Sequence, residues 1–197
     1  NLATYVKQNC SNRGKVDSKD SASKWIISRR ESLKKNVTSY LNNLEYHKAF
    51  EEIKNFLLVD FSKTYIQFIR DKTDDKKVQK VLYDTYFDAL TLLAPFFPFV
   101  TEKINLEIYK KESIHLQPWP KSKKKFINLE LEKGMHALTS VLQGLLAARD
   151  KEKLNVRWPL KKATLYLHKD HAALKEPLLS LTSLILKQAN LKDVEFV

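Results

Sequence analysis

Glycine is nearly missing from this chain of 197 residues, with Gly14, Gly134 and Gly144 its whole supply. No two of them fall at the spacing with which a glycine-rich loop cradles a phosphate, which argues against a P-loop or a dinucleotide-binding turn. Cysteine is scarcer: Cys10 stands alone, has no partner for an internal disulfide, and fits a reducing cytosol. No apolar run approaches the ~18 residues of a membrane span, and no basic head with a short apolar core marks a secretory signal, so no membrane contact is expected. The histidines (His47, His115, His136, His168 and His171) lie on separate segments. His168 and His171 form only a weak pair, none has the ligand spacing of a zinc site, and no metal is expected. Nucleophile-elbow and kinase-type motifs are absent as well.

What the chain does have is an ordered core and an excess of positive charge. Hydrophobic residues make up 43% and aromatics 11%, above what a disordered chain carries. Lys plus Arg number 35 against 23 Asp plus Glu, a formal charge of +12, which places nucleic acid first among partners. The plainer account of that charge is a basic domain that is merely soluble, and composition does not separate DNA from RNA.

The hydrophobic period is helical over most of the length. After a short N-terminal helix and a polar loop, "NCSNRGKVDSKDSAS" (9–23), the residues Ile26, Leu33, Val37, Tyr40, Leu41 and Leu44 line one face of a helix capped by Ser23. Tyr46, Ala49, Ile53, Leu57, Thr64 and Phe68 line a second helix that ends near Lys72. A third, from Lys76, carries apolar residues on more than one side and reads as central; Pro95 stops it and Pro98 opens the next, roughly 98–111. Phe96, Phe97 and Phe99 then read as an apolar corner between those two helices. A proline-bounded linker holding "KSKKK" leads to a fifth helix capped by Asn128. Beyond "NVRWPLKK" the period becomes two, with Ala163, Leu165 and Leu167 alternating, then a helix over 177–189 and a second strand at Val194 and Phe196. The expected fold is mainly α: an antiparallel helical bundle over 1–155, then a small strand-helix-strand module over 156–197. With no initial methionine, the chain reads as a fragment of a longer protein, its tail module truncated.

Two charges fall on apolar seams. Arg29 follows Ile26 by three residues and Asp60 follows Leu57 by three, so helical spacing turns both inward, and they are expected to meet as a structural ion pair. Outside the seams, Lys24, Arg30, Lys34 and Lys35 decorate one helix and Lys63, Arg70 and Lys72 its neighbour, with Trp25, Tyr65 and Phe68 interleaved. Cations neutralise phosphates and aromatic faces stack unpaired bases, a mixture suited to single-stranded or looped RNA. Taken singly, each such aromatic is better explained as core.

In order and spacing, "SKWIISRRESL" (23–33), "DFSKTYIQFIRDK" (60–72), "LLAPFFPFVTEKI" (92–104) and "SIHLQPWP" (113–120) resemble the C-terminal part of class I aminoacyl-tRNA synthetases of the isoleucine, valine and leucine group. The first is similar to the helix that opens the anticodon-binding domain, the second to its next helix, the third to the joint of two later helices. "NVRWPLKKATLY" and the terminal "LKDVEFV" favour the isoleucine branch, archaeal or eukaryotic in style, with the valine branch as the alternative. Lys63 departs from the arginine common in the isoleucine pattern, which keeps a phosphate contact in reach but not a bidentate one.

The resemblance implies a parent enzyme, a cytoplasmic ligase that activates an amino acid with ATP and Mg and transfers it to tRNA. Its catalytic and editing domains would belong to the same parent chain. The HIGH-type and KMSKS-type signatures of those enzymes are absent from these residues, so this stretch is expected to do no chemistry and to hold no cofactor. Its partner would be the isoleucine-accepting tRNA, read at the anticodon loop. Lys24, Arg30, Lys34, Arg70 and Lys72 are the expected contacts on the bundle, and Arg149, Arg157 and Trp158 those near the junction. Trp158 and Pro159 have a second reading, as the anchor of the turn from bundle to tail. The rival from another class is a basic helical module that docks an acidic protein partner without touching RNA.

Overall fold

The computed structural model describes residues 2–12 and 20–197, the side chains of 169–171 excepted. The polar loop expected between the first two helices lies, from 13 to 19, outside the described residues. The fold is mainly α, as the periodicity predicts, and packing divides the chain into two units at Ile127/Asn128. The helix expected to close the bundle therefore groups with the C-terminal residues.

In the first unit α1 (Leu2–Asn9) precedes α2 (Ser21–Asn42), and α3 (Tyr46–Asn55) packs back along α2 after a tight turn. The cap of α2 is Asp20, three residues before the expected Ser23, and its Oδ2 accepts the Ser23 N–H at 3.1 Å. A carboxylate there satisfies a helix-end donor and faces the positive end of the dipole. Ile26, Leu33 and Val37 are fully buried as expected, but α2 stops at Asn42, and Leu44 lies in the turn with φ 60° and 71% exposure.

α3 runs into a π-helical stretch, Phe56–Tyr65, and then α4 (Ile66–Ile69). Widening each turn toward five residues moves the seam, so Phe56 and Phe61 are fully buried and stacked at 6.3 Å while Leu57 is half-buried. Phe61 also stacks on Tyr65 at 6.0 Å and on Tyr86 of α5 (Lys76–Leu93) at 5.8 Å. α5 packs against α1, α2, α3 and α6 (Pro98–Ile104), which explains its apolar residues on several sides. Each such side chain contributes roughly 1.5–3 kcal/mol by leaving water.

Pro98 takes the first position of α6, where Thr101 Oγ1 donates to the Phe97 carbonyl at 2.9 Å, and the N–H groups of Phe96 and Phe97 donate to the Leu93 carbonyl at 3.0 and 3.1 Å, closing the joint with α5. The expected apolar corner is only partly formed. Phe96 and Phe97 each lie 5.7 Å from Phe50, whereas Phe99 is 89% exposed. After the π-helical turn Asn105–Tyr109, Glu102 Oε2 accepts from Ser113 Oγ and the Ile114 N–H, which folds the returning segment back onto α6.

In the second unit Asn128 caps α7 (Leu129–Lys151), accepting the Leu131 N–H at 3.0 Å. The expected helix over 177–189 is two pieces, α8 (Lys175–Leu179) and α9 (Thr182–Ala189), with Pro177 in the first turn of α8. Ser180 Oγ donates to the Pro177 carbonyl at 2.6 Å, competing with helix continuation at the break. β1 (Ala163–Leu165) and β2 (Val194–Phe196) pair in parallel, Ala163 opposite Val194, and α8 and α9 form the crossover between them.

Candidate nucleic-acid interface

At the N-terminal end of α2 the structure brings several expected cations together. Lys72, at the close of the turn Arg70–Lys72, reaches Asp20 Oδ1, and Lys24 lies one turn into α2 with its side chain exposed. Arg70 is exposed and close enough to Tyr5 to lower a phenol pKa that burial raises. Lys35 and Lys63 are exposed too. The interleaved aromatics are not: Trp25 is 3% exposed, Tyr65 fully buried and Phe68 4% exposed, so they pack the core and offer no face to a base.

Arg30 and Lys34 differ from the expectation. Both are buried, and with Glu31 and Asp88 they form a closed, charge-balanced group. Arg30 Nη2 and Lys34 Nζ reach Glu31 Oε1 at 3.1 and 2.9 Å, and Arg30 Nε and Lys34 Nζ reach Asp88 Oδ2 at 3.3 and 2.6 Å. Helical spacing made them look like one phosphate-binding face, but that face lies against α5.

The proline-bounded linker forms a strap across α2. Trp119 Nε1 donates to Thr38 Oγ1 at 2.9 Å, Ser122 Oγ to the Glu31 carbonyl at 2.8 Å, and the Lys123 N–H to Glu31 Oε2 at 2.7 Å. An extended chain rises about 3.3 Å per residue and a helix about 1.5 Å, so the few residues from Trp119 to Lys123 cover the two turns from Thr38 to Glu31. The strap leaves Lys121, Lys123, Lys124 and Lys125 exposed, with Phe126 beside them at 45% exposure. These lysines were visible in the sequence as "KSKKK" but not as part of a surface, because nothing local ties them to α2.

Arg29 and Asp60 do meet, with Nε and Nη2 of the arginine donating to Asp60 Oδ2 at 3.0 and 2.9 Å. Glu52 lies 3.6 Å from the same Nη2. The pair joins α2 to the π-helical stretch.

In the second unit Arg149 is 4% exposed and works as a clamp. Its Nη1 donates to the carbonyls of Asn155 and Trp158 at 3.3 and 3.0 Å, and its Nη2 to those of Ala189 and Asn190 at 2.8 and 3.0 Å. The Trp158 carbonyl therefore anchors the turn, while its indole is 66% exposed and Arg157 beside it is exposed. Among the described residues no group of three or more His, Cys, Asp or Glu could hold a metal ion, and the His171 side chain lies outside them. No helix among these residues is long and apolar enough to cross a membrane.

Comparison with known proteins supplies the family. The profile described as the anticodon-binding domain of tRNA ligase matches residues 23–164. The isoleucine–tRNA ligase of Methanosarcina mazei is 31% identical over 184 residues, covering 87% of this chain and 17% of the relative. That of Pyrococcus furiosus is 30% identical over 182 residues, with the same coverage of each, and that of Methanopyrus kandleri is 30% identical over 183, covering 16% of the relative. The chain thus spans about a sixth of the length of these relatives.

Proposed function

We propose, since the chain belongs to the family of anticodon-binding domains of tRNA ligases, that it is the tRNA-reading part of an isoleucine–tRNA ligase. The observation that carries the reading is the family match over 23–164, which takes in the cationic end of α2 and the lysine strap. Lys24, Arg70 and Lys72, joined by Lys63 and the strap lysines, neutralise phosphates and fix register; Arg157 and Trp158 add a cation and an exposed indole. Arg30, Lys34 and Arg149 hold the frame on which those contacts stand.

In this reading the segment performs no chemistry. ATP and Mg are used by the catalytic domain of the parent chain, an editing domain belongs to the same chain, and the enzyme works in the cytoplasm on the isoleucine-accepting tRNA. Relatives named as isoleucine–tRNA ligases favour that branch over the valine one.

Titration of the protein with isoleucine-accepting, valine-accepting and unrelated tRNAs at about 50 and 200 mM salt tests it. Tighter binding of the isoleucine tRNA, weakening steeply with salt, is expected. Preference for the valine tRNA moves the chain to that branch, and no tRNA binding at either salt leaves the protein-docking alternative.

A further inference from the structure

Beside the buried ionic group, α5 and the strap enclose a cleft of about 350 Å³. Phe87, Asp88 and Thr91 of α5 line one side; Lys111 and the strap residues from Gln117 to Lys121 line the other. The volume falls within the ~300–1,000 Å³ of small-molecule sites.

Its walls are fixed before anything binds. Pro118 and Pro120 lock the backbone on each side of Trp119, and the indole N–H is tied to Thr38 at 2.9 Å. Lys111 Nζ lies 4.1 Å from the centre of the Phe87 ring and donates to Gln117 Oε1 at 3.0 Å, so its charge is held without a carboxylate. Gln117 Nε2 donates in turn to the Ser113 carbonyl at 2.9 Å, which sets the amide. Among the described residues the one carboxylate lining the cleft, Asp88, is already balanced by Arg30 and Lys34, which leaves Lys111 and Lys121 as excess charge.

A rigid aromatic wall beside two cations, in a cleft larger than a side chain needs, is the chemistry that takes an unstacked base with its phosphate. We propose that this cleft binds one unpaired nucleotide, its base against Trp119 and its phosphate on Lys111 and Lys121. The inference rests on the tRNA-binding reading above and names a subsite within it. Lys123, Lys124 and Lys125, exposed further along the strap, continue the cationic track from that nucleotide.

The test uses the full-length protein and an RNA hairpin with the sequence of the isoleucine anticodon stem-loop, 2-aminopurine replacing one loop base at a time. Quenching on binding is expected at one loop position, lost in Trp119→Ala and retained in Trp119→Phe, with affinity falling roughly fivefold or more in the alanine variant. Lys111→Met and Lys121→Met are each expected to reduce the dependence of log K on log salt by about one. They also keep the test standing if Trp119→Ala fails to fold in a circular-dichroism melt. Displacement of the quenched hairpin by the free nucleoside monophosphate, in wild type but not in Trp119→Ala, supports the cleft as a nucleotide site and extends it to free nucleotides. Binding and quenching unchanged by all the substitutions overturn the proposal while leaving tRNA binding intact, as does an acidic peptide that competes for the cleft without displacing RNA. Failure of the wild type to bind any hairpin overturns the tRNA reading itself.

Discussion

The backbone N–H of Lys123 donates to Glu31 Oε2 at 2.7 Å, across 92 residues of sequence, while Oε1 of the same carboxylate holds Arg30 and Lys34. One fully buried side chain thus sets both the strap and two cations of α2. Removing it leaves two buried positive charges sharing Asp88 and an orphaned backbone donor. Glu31→Ala is expected to cost about 3–5 kcal/mol in urea unfolding. It should also speed tryptic cleavage at Lys121, Lys123, Lys124 and Lys125, because the strap loses the tie at the Lys123 N–H, while the Ser122 bond to the Glu31 backbone carbonyl remains.

The same residue gives stability a dependence on pH. Burial alone would raise the Glu31 carboxyl, but the Lys123 N–H, the Lys34 hydrogen bond and the charges of Lys34 and Arg30 outweigh it and hold the group below its ordinary 4.5. A carboxylate more acidic in the folded than in the unfolded chain adds stability that is fully present above the unfolded value and lost as pH falls through the folded one. Unfolding free energy should therefore decline as pH drops below about 4.5, and Glu31→Gln should flatten that decline. A variant with the slope of the wild type would assign the acid sensitivity to other carboxylates.

What could be read from the sequence was whatever local chemistry dictates. Pro95 and Pro98 end one helix and start the next because proline constrains its own φ and its predecessor, and α5 ends at Leu93 with Pro98 opening α6. Arg29 and Asp60 were legible because a charge on an apolar stripe needs a partner. Arg30 and Lys34 were misleading for the opposite reason: their spacing describes a basic face, and only the remote Asp88 and strap show that it is covered. The π-helical register of Phe56 and Phe61 was hidden because hydrophobic spacing of three and four residues assumes a regular α-helix. Trp119 and the lysines after it looked like a linker, and only hydrogen bonds to Thr38 and Glu31 make them part of a surface.

The Arg29–Asp60 pair is partly exposed, with side chains at 19% and 22%. Its worth should lie between the ~0–1 kcal/mol of surface pairs and the ~3–5 kcal/mol lost on breaking buried ones. A double-mutant cycle with Arg29→Met and Asp60→Asn is expected to give a coupling of about 1–2 kcal/mol. Glu52, near the same guanidinium, takes up part of the loss in Asp60→Asn, so the cycle and not the single variant measures the pair.

The two described glycines, both inside α7, should respond in opposite directions to alanine. At Gly134 a Cβ would stand 2.7 Å from Pro177 Cβ and 3.2 Å from its backbone carbonyl, a contact that a rigid ring and backbone cannot yield to easily. Gly134→Ala is expected to destabilise by about 1–3 kcal/mol through overpacking of α7 on α8. At Gly144 nothing among the described residues lies within 4 Å, and alanine removes helical entropy cost, so Gly144→Ala should stabilise by about 0.5–1 kcal/mol. Thermal melts of the two variants beside the wild type decide both.

Cations of this chain fall into two kinds that a salt titration separates. Lys24, Lys63 and Arg70 are exposed, and on the tRNA-binding reading each phosphate they neutralise releases counterions. Alanine at any of them should weaken tRNA binding across sequences alike and reduce the slope of log K against log salt by about one, with the melting temperature little changed. Arg149 is buried and satisfies four carbonyls, so Arg149→Ala should instead lower stability by ~2 kcal/mol or more and leave the slope of the folded fraction as it was. If Arg149→Ala altered the slope while the melt stayed put, the clamp would be an RNA contact and its four carbonyls incidental. If the surface variants altered the melt and not the slope, the positive face at the end of α2 would serve packing and the phosphates would lie elsewhere.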